Sequence, residues 1–219
     1  MFNWFRADAT GGAADTVAGR GVGETGLLGA VRVATTTGWR SVRRIVPGDR
    51  VLTFDCGMQT VAAIQSEPLW EGEAPCPDSL WPVEVPAGAL GNRNLMYLAA
   101  DQAVLVESDA AEALTGDPFA LIPARSLIGV RGMCRVPPPP DAEVTILQFE
   151  VEQIVFANSG AMLHCPPVST DLLGAAATPH HYQLLDRETA DIIANALDTD
   201  CSISPWRPDP SGAADRLRR

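Results

Sequence analysis

Lysine is absent from this 219-residue sequence, and all 16 of its cationic residues are arginine. Without lysine the chain can form neither a Schiff base nor a phosphate-binding loop of the Gly-Lys type. Its 27 aspartate and glutamate residues give a formal net charge of −11. Because phosphate backbones and anionic lipid surfaces are bound through clustered positive charge, this composition argues against nucleic-acid and membrane partners.

Long apolar runs and paired cysteines are also missing. No apolar run approaches the length of a membrane-spanning helix, and residues 1–8 lack the basic start and apolar stretch of a secretory signal. We therefore expect a cytoplasmic location by default, with export routes that need no N-terminal signal left open. The five cysteines are scattered without a Cys-x-x-Cys pair, which argues against a disulfide framework and a structural zinc site.

Two patterns imitate cofactor or metal sites. Residues 21–26 (GVGETG) match the dinucleotide-binding glycine pattern, but no strand precedes them and β-type sequence follows, so the βαβ context is missing. His164, Cys165, His180 and His181 form two pairs of adjacent residues, a spacing that does not match common zinc-ligand sets. We expect neither a cofactor nor a metal.

Short apolar or alternating runs separated by turn residues predict an all-β domain of many short strands. Residues 108–114 are typical of a capped helical turn. Near the C-terminus, Ile192, Ile193 and Leu197 have helical spacing, so residues 187–197 are predicted as one helix. The predicted strands are 30–35, 39–46, 50–54, 58–65, 80–86, 94–98, 102–107, 119–123, 142–151, 153–158 and 161–164, with irregular connections at 67–79 and 137–140.

Two groups of motifs frame the predicted β-domain. The first comprises residues 31–35 (VRVAT), 38–42 (GWRSV) and 47–55 (PGDRVLTFD), and the second comprises 144–150 (VTILQFE) and 154–165 (IVFANSGAMLHC). Together they resemble the opening and closing segments of the Hedgehog/intein (Hint) domain, as in bacterial stand-alone Hint-like proteins. The resemblance implies a compact Hint-like β-fold whose ancestral activity is autocatalytic peptide-bond cleavage.

The same resemblance identifies the positions at which the family carries its reactive groups. The first residue, a nucleophilic Cys or Ser, corresponds to Gly26, and the central histidine segment places Ala99 at its Thr/Ser position and Gln102 at its histidine. His164 occupies the penultimate-histidine position, and Cys165 replaces the terminal asparagine. Glycine has no side chain to attack with, glutamine does not titrate, and a thiol cannot cyclise to a succinimide.

Four residues remain as weaker catalytic candidates. Thr25 would offer a hydroxyl after a one-residue slip, although an ordinary turn hydroxyl is the simpler interpretation. Asp101 could act as an acid if desolvated, or it is a turn carboxylate between two strands. His164 and Cys165 could form an activated thiolate pair, but adjacent side chains on a strand point to opposite faces.

The chain is thus predicted to have three parts. Residues 1–25 form a flexible leader, residues 26–165 form the Hint-like domain, and residues 166–219 form a C-terminal extension with one helix. We expect this helix either to dock on the β-domain and bury Ile192, Ile193 and Leu197, or to mediate self-association.

The predicted function is that of a Hint-domain protein without self-splicing or autoproteolysis, which serves as a binding or assembly module for an unidentified protein partner. The alternative is a residual or rewired autoprocessing domain that uses Thr25 or Cys165 with His164. Whether the chain is an enzyme at all depends on which of these two holds.

Overall fold

The computed structural model describes residues 19–21, 25–29, 31–168 and 182–199, and most of the secondary structure in these ranges is β-strand. The two α-helices described there are α1, Asp109–Thr115, and α2, Arg187–Thr199. The strands are β1 Gly19–Gly21, β2 Leu27–Leu28, β3 Arg32–Thr35, β4 Gly38–Ser41, β5 Arg50–Thr53, β6 Gly57–Thr60, β7 Ala63–Pro68, β8 Trp70–Gly72, β9 Val83–Val85, β10 Met96–Leu98, β11 Ala103–Glu107, β12 Phe119–Pro123, β13 Cys134–Arg135, β14 Glu143–Gln148, β15 Gln153–Ala157 and β16 Ala161–Cys165.

Over the described ranges, two antiparallel sheets contain all the strands except β1 and β8. The larger sheet has the strand order β12-β11-β16-β15-β3-β5-β6, with β4 beside β3. The smaller sheet has the order β13-β9-β10-β2-β14-β7, and β1 pairs with β8 separately. The predicted all-β class with a C-terminal helix is confirmed. No helix in the described part of the chain is long and apolar enough to cross a membrane.

A shared apolar core joins the sheets and the C-terminal helix. Leu147 of the smaller sheet and Leu163 of the larger sheet belong to one buried cluster with Ile193 and Leu197 of α2. The helix therefore docks on the β-domain. Burial of Ile192 was a wrong prediction: its side chain is 50% exposed, because one residue along a helix turns the side chain by about 100° away from the buried stripe.

The chain changes sheets in the middle of predicted strand 58–65. Val61 donates its N–H to Asp49 O, and Ala62 donates to Gln148 O, so these two residues bridge β6 of the larger sheet and β7 of the smaller one. No glycine, proline or other turn residue marks the junction, so the sequence gives no local signal for this break. Likewise, predicted strand 39–46 ends at Ser41, where a 3₁₀ turn, Val42–Arg44, begins.

Several short elements differ from the sequence expectations. The predicted irregular connection 67–79 contains the end of β7, all of β8 and a 3₁₀ turn, Asp78–Leu80. Residues Gly19–Gly21, within the predicted leader, pair with β8 as β1. The predicted helical turn is α1, whose cap residue Ser108 accepts a hydrogen bond at Oγ from the N–H of Ala110.

Candidate functional site

Four of the positions that the sequence resemblance assigned to reactive groups meet at one cavity of about 590 Å³. Gly26 lines the cavity from the bend before β2, and Gln102 lines it from the turn before β11. His164 and Cys165 line it from the end of β16. Ala99 is buried in the turn that carries Gln102, and its N–H donates to Gly26 O over 3.4 Å.

The Gln102 side chain connects three parts of this site. It is 3% exposed, and its Oε1 accepts a hydrogen bond of 2.8 Å from the N–H of Gly26. Its Nε2 donates to the carbonyl oxygens of Ala103, at 2.9 Å, and His164, at 2.8 Å. Because the carboxamide has two donors and both are used, Gln102 acts as a neutral bridge between the first and last strands of the site.

The backbone at Gly26 has a conformation that favours glycine. Its φ angle is +125°, a value that residues with a Cβ rarely adopt. A Cβ added there would lie 2.4 Å from Val144 Cγ1 and 3.2 Å from Thr145 O. A nucleophilic side chain therefore meets both backbone strain and steric conflict at this position.

His164 is hydrogen-bonded to a buried carboxylate that sequence reasoning missed. Its Nε2 lies 3.0 Å from Oε2 of Glu152, a residue that is 4% exposed. The N–H of Tyr182, in the C-terminal extension, donates to Glu152 Oε1 over 3.0 Å. The signal for Glu152 was present in the hairpin register: Ile154 pairs with His164, and Glu152 lies two residues from Ile154, on the same face.

Cys165 belongs to the apolar core and not to a reactive pair with His164. It is 2% exposed and packs in the main buried cluster. Side-chain burial alternates along β16, which confirms that His164 and Cys165 point to opposite faces. Burial raises the pKa of the Cys165 thiol to about 12, so the thiolate is scarce at neutral pH.

The other two candidates lie at the margin of the cavity. Oδ1 of Asp101 lies 2.9 Å from Nη2 of Arg125, and both side chains are partly exposed. This ion pair supports the interpretation of Asp101 as a turn carboxylate. Thr25 lines the cavity, and it is exposed to solvent.

The described residues contain no group of three or more His, Cys, Asp or Glu side chains suited to hold a metal ion. His180 and His181, which the sequence placed beside His164 and Cys165 as a nominal metal set, lie outside the described residues.

Comparison with known proteins assigns the family. The Hint domain model matches residues 26–162, which is more than half of the chain and begins at Gly26. The chain therefore belongs to the Hint domain family.

The solution structure of a bacterial intein-like domain from Clostridium thermocellum is similar to the chain with a TM-score of 0.45 and 12% identity, covering 64% of this chain and 97% of that one. A GSH-linked, splice-inactive variant of the AceL NrdHF class 3 split intein gives a TM-score of 0.38 and 13% identity, covering 65% and 98%. No curated protein matches the chain.

Proposed function

We propose that this chain is a Hint domain that does not process itself and that uses the cavity of its former reaction centre for binding. The observation that carries the proposal is Gly26. Glycine has no nucleophilic side chain. A larger residue at this position would be strained by the φ of +125°, and its Cβ would lie only 2.4 Å from Val144 Cγ1. The site geometry is thus adapted to glycine.

The histidine position supports the same proposal. Departure of an amine from a scissile amide needs a positioned acid, and the carboxamide of Gln102 cannot supply a proton. Its hydrogen bonds to Gly26 N and His164 O give it a different role, which is to hold the two ends of the site together.

The closing position also lacks the chemistry of the ancestral reaction. A thiol cannot form a succinimide, and burial holds the pKa of Cys165 at about 12. A binding role fits what remains: a cavity of about 590 Å³, within the range of small-molecule sites, with largely apolar walls. Assembly through α2 has less support, because Ala190, Ile193 and Ala194 are already buried against the domain.

Intact mass spectrometry tests the proposal. Freshly purified chain, incubated overnight with and without dithiothreitol, is expected to keep its full mass of 23.2 kDa. A product that has lost the residues before Thr25 or Gly26, and that forms equally in the presence of protease inhibitors, would overturn the proposal, because it would show self-cleavage at the first family position.

A rewired autoprocessing domain is the second candidate, and one contact favours it: the 3.0 Å hydrogen bond between His164 and Glu152 beside the cavity that Thr25 lines. If cleavage occurs, Thr25→Val, Cys165→Ala and His164→Ala assign it. Cleavage by a Thr25 hydroxyl assisted by His164 would stop in the first and third variants and persist in the second.

A further inference from the structure

The cavity has largely apolar walls and a mouth at the protein surface. Thr25, Gln183 and Leu184 line it and are exposed, which places them at the mouth. A space of about 590 Å³ suits a small organic molecule. The apolar residues on its walls are Leu27, Ala103, Leu121, Ile146, Leu147 and Leu184.

The buried polar side chains on the described part of the wall already have partners inside the protein. They are Gln102, Thr145 and Glu152. Both amide hydrogens of Gln102 go to backbone carbonyl oxygens, and its Oε1 accepts from the N–H of Gly26. The hydroxyl of Thr145 lies 3.4 Å from that of Ser66. These groups therefore do not require a ligand to satisfy their hydrogen bonds.

The two carboxylates among the described wall residues are compensated as well. Oε2 of Glu152 lies 3.0 Å from Nε2 of His164, and its Oε1 accepts from the N–H of Tyr182. Asp101 forms an ion pair of 2.9 Å with Arg125. A charged ligand would lose hydration against this wall without gaining an unpaired counter-charge. A neutral apolar ligand loses little hydration and gains from the burial of its surface.

The cavity lies between the sheets and the C-terminal extension. Leu184 of the extension forms an isolated β-bridge with Leu121 of β12, and Leu185 donates its N–H to Leu121 O over 3.0 Å. Leu147 of β14 lines the same space from the smaller sheet. A molecule that fills the cavity therefore contacts both sheets and the extension.

We propose that this cavity binds a neutral, largely apolar small molecule, which holds the C-terminal extension against the two sheets. The apolar body of the ligand contacts Leu121, Leu147 and Leu184, and a neutral polar group on it, such as a hydroxyl, faces the mouth and its water. This inference rests on the proposed function, because a site that still processed its own chain would hold a peptide bond there.

Isothermal titration calorimetry with three probes that share one ring system tests the ligand class. At pH 7 cyclohexylmethanol is neutral, cyclohexylmethylamine is a cation and cyclohexanecarboxylate is an anion. All three are titrated in 0.15 M salt, which screens surface attraction. We expect the neutral alcohol to bind at least about tenfold more tightly than either ion. An ion that binds as tightly as the alcohol, or an alcohol that does not bind, would overturn the inference.

Two leucine variants locate the bound alcohol. Leu184→Ala removes an apolar group at the mouth and is expected to weaken binding about fivefold. Leu184 is 50% exposed, so the variant keeps the fold. Leu95→Ala is the matched control, since Leu95 is 47% exposed and is not among the residues that line the cavity. Equal effects of the two variants would place the alcohol elsewhere and contradict the inference.

Hydrogen exchange measures how firmly the ligand holds the extension. The N–H groups of Tyr182 and Leu185 are bonded to Glu152 and to Leu121 O, and they are expected to exchange when the extension opens. Cyclohexylmethanol at about ten times its Kd should slow this exchange about tenfold, because it binds only the closed form. Unchanged exchange in a chain that binds the alcohol would mean that the ligand does not contact the extension, which contradicts the inference.

Intact mass recorded on the same samples separates this inference from the proposed function. An uncleaved chain that prefers an ion, or that binds none of the three probes, contradicts the neutral ligand alone. A cleaved chain contradicts the proposed function.

Discussion

At position 26, the backbone and the missing side chain act together. Single-residue replacement of a nucleophile is commonly reversible by mutation, but here the φ of +125° and the neighbouring Val144 side chain have to change as well. The packing between the bend before β2 and strand β14 therefore favours glycine at position 26.

Gly26→Cys is accordingly expected to destabilise the chain and not to restore cleavage. Forcing a Cβ into a left-handed conformation and against a buried side chain costs about 1–3 kcal/mol in free energy of unfolding. Urea denaturation measures the stability, and intact mass measures cleavage. Gly38→Cys is the control, because Gly38 has a φ of +100° but open space around its Cβ direction. A variant that cleaves itself at wild-type stability would contradict this prediction.

Cys165 is expected to resist alkylation in the native state. With a pKa of about 12, only about one thiol in ten thousand is ionised at pH 8, and the side chain is also inaccessible. Cys56 and Cys134 are exposed and serve as internal references. Brief treatment with iodoacetamide followed by peptide mapping should label them at least about a hundredfold faster than Cys165. Comparable labelling of Cys165 would indicate an accessible, activated thiol.

Residue identity shows which side-chain chemistry Gly26 and Gln102 lack, but it does not reveal the contacts that these residues make. Gln102 was recognised as unable to titrate, whereas its bridge to Gly26 N and His164 O depends on a tertiary distance that no local pattern encodes. Glu152 was missed because strand parity locates it on the face of His164 only when the register of the β15–β16 hairpin is known.

At the scale of elements, periodicity predicted the C-terminal helix but did not fix which apolar residues are buried. Ile192 and Ile193 are adjacent and chemically identical, and both fit a helical stripe. The structure buries Ile193 completely and leaves Ile192 half-exposed. Arg131 fixes this orientation by donating to the carbonyl oxygens of Leu197 in α2 and Ala89 in the β-domain.

The two isoleucines form a matched pair for testing how α2 docks. Ile193→Ala is expected to lower the free energy of unfolding by about 2–4 kcal/mol, because it leaves a cavity in the core shared with the sheets. Ile192→Ala should cost less than about 1 kcal/mol, since half of its side chain is already in water. Thermal or urea denaturation of both variants gives the comparison. Equal costs would mean that the helix is docked through another face.

Strand boundaries were predictable where a turn residue separates two runs, and not where the chain passes between sheets. Pro47 to Asp49 correctly located the start of β5, whereas the end of β4 at Ser41 was missed. Val61 and Ala62 contain no turn signal, yet β6 and β7 lie in different sheets on either side of them. The change is encoded by hydrogen bonds to Asp49 O and Gln148 O, which are distant partners.

For the whole molecule, framing motifs predicted the family and the β-fold, but not the path of the C-terminal extension. Leu185 donates its N–H to Leu121 O, which extends the edge of the larger sheet beyond β12. Tyr182 reaches the buried Glu152. The two residues in each contact are far apart in the sequence, so no local pattern predicts them. Through these contacts the extension forms part of the site wall.

If the extension is an integral part of the domain, its helix should open together with the sheets. Native-state hydrogen exchange followed by mass spectrometry is expected to give residues 190–197 of α2 protection similar to that of the β15–β16 hairpin, because both contribute to one core. The exposed turn of Asp55 and Cys56, between β5 and β6, is the weakly protected reference. Exchange in α2 about a hundredfold faster than in the hairpin would show that the extension opens alone. In that case the wall formed by Tyr182 and Leu184 would be removable, and the cavity would be a surface groove for part of the time.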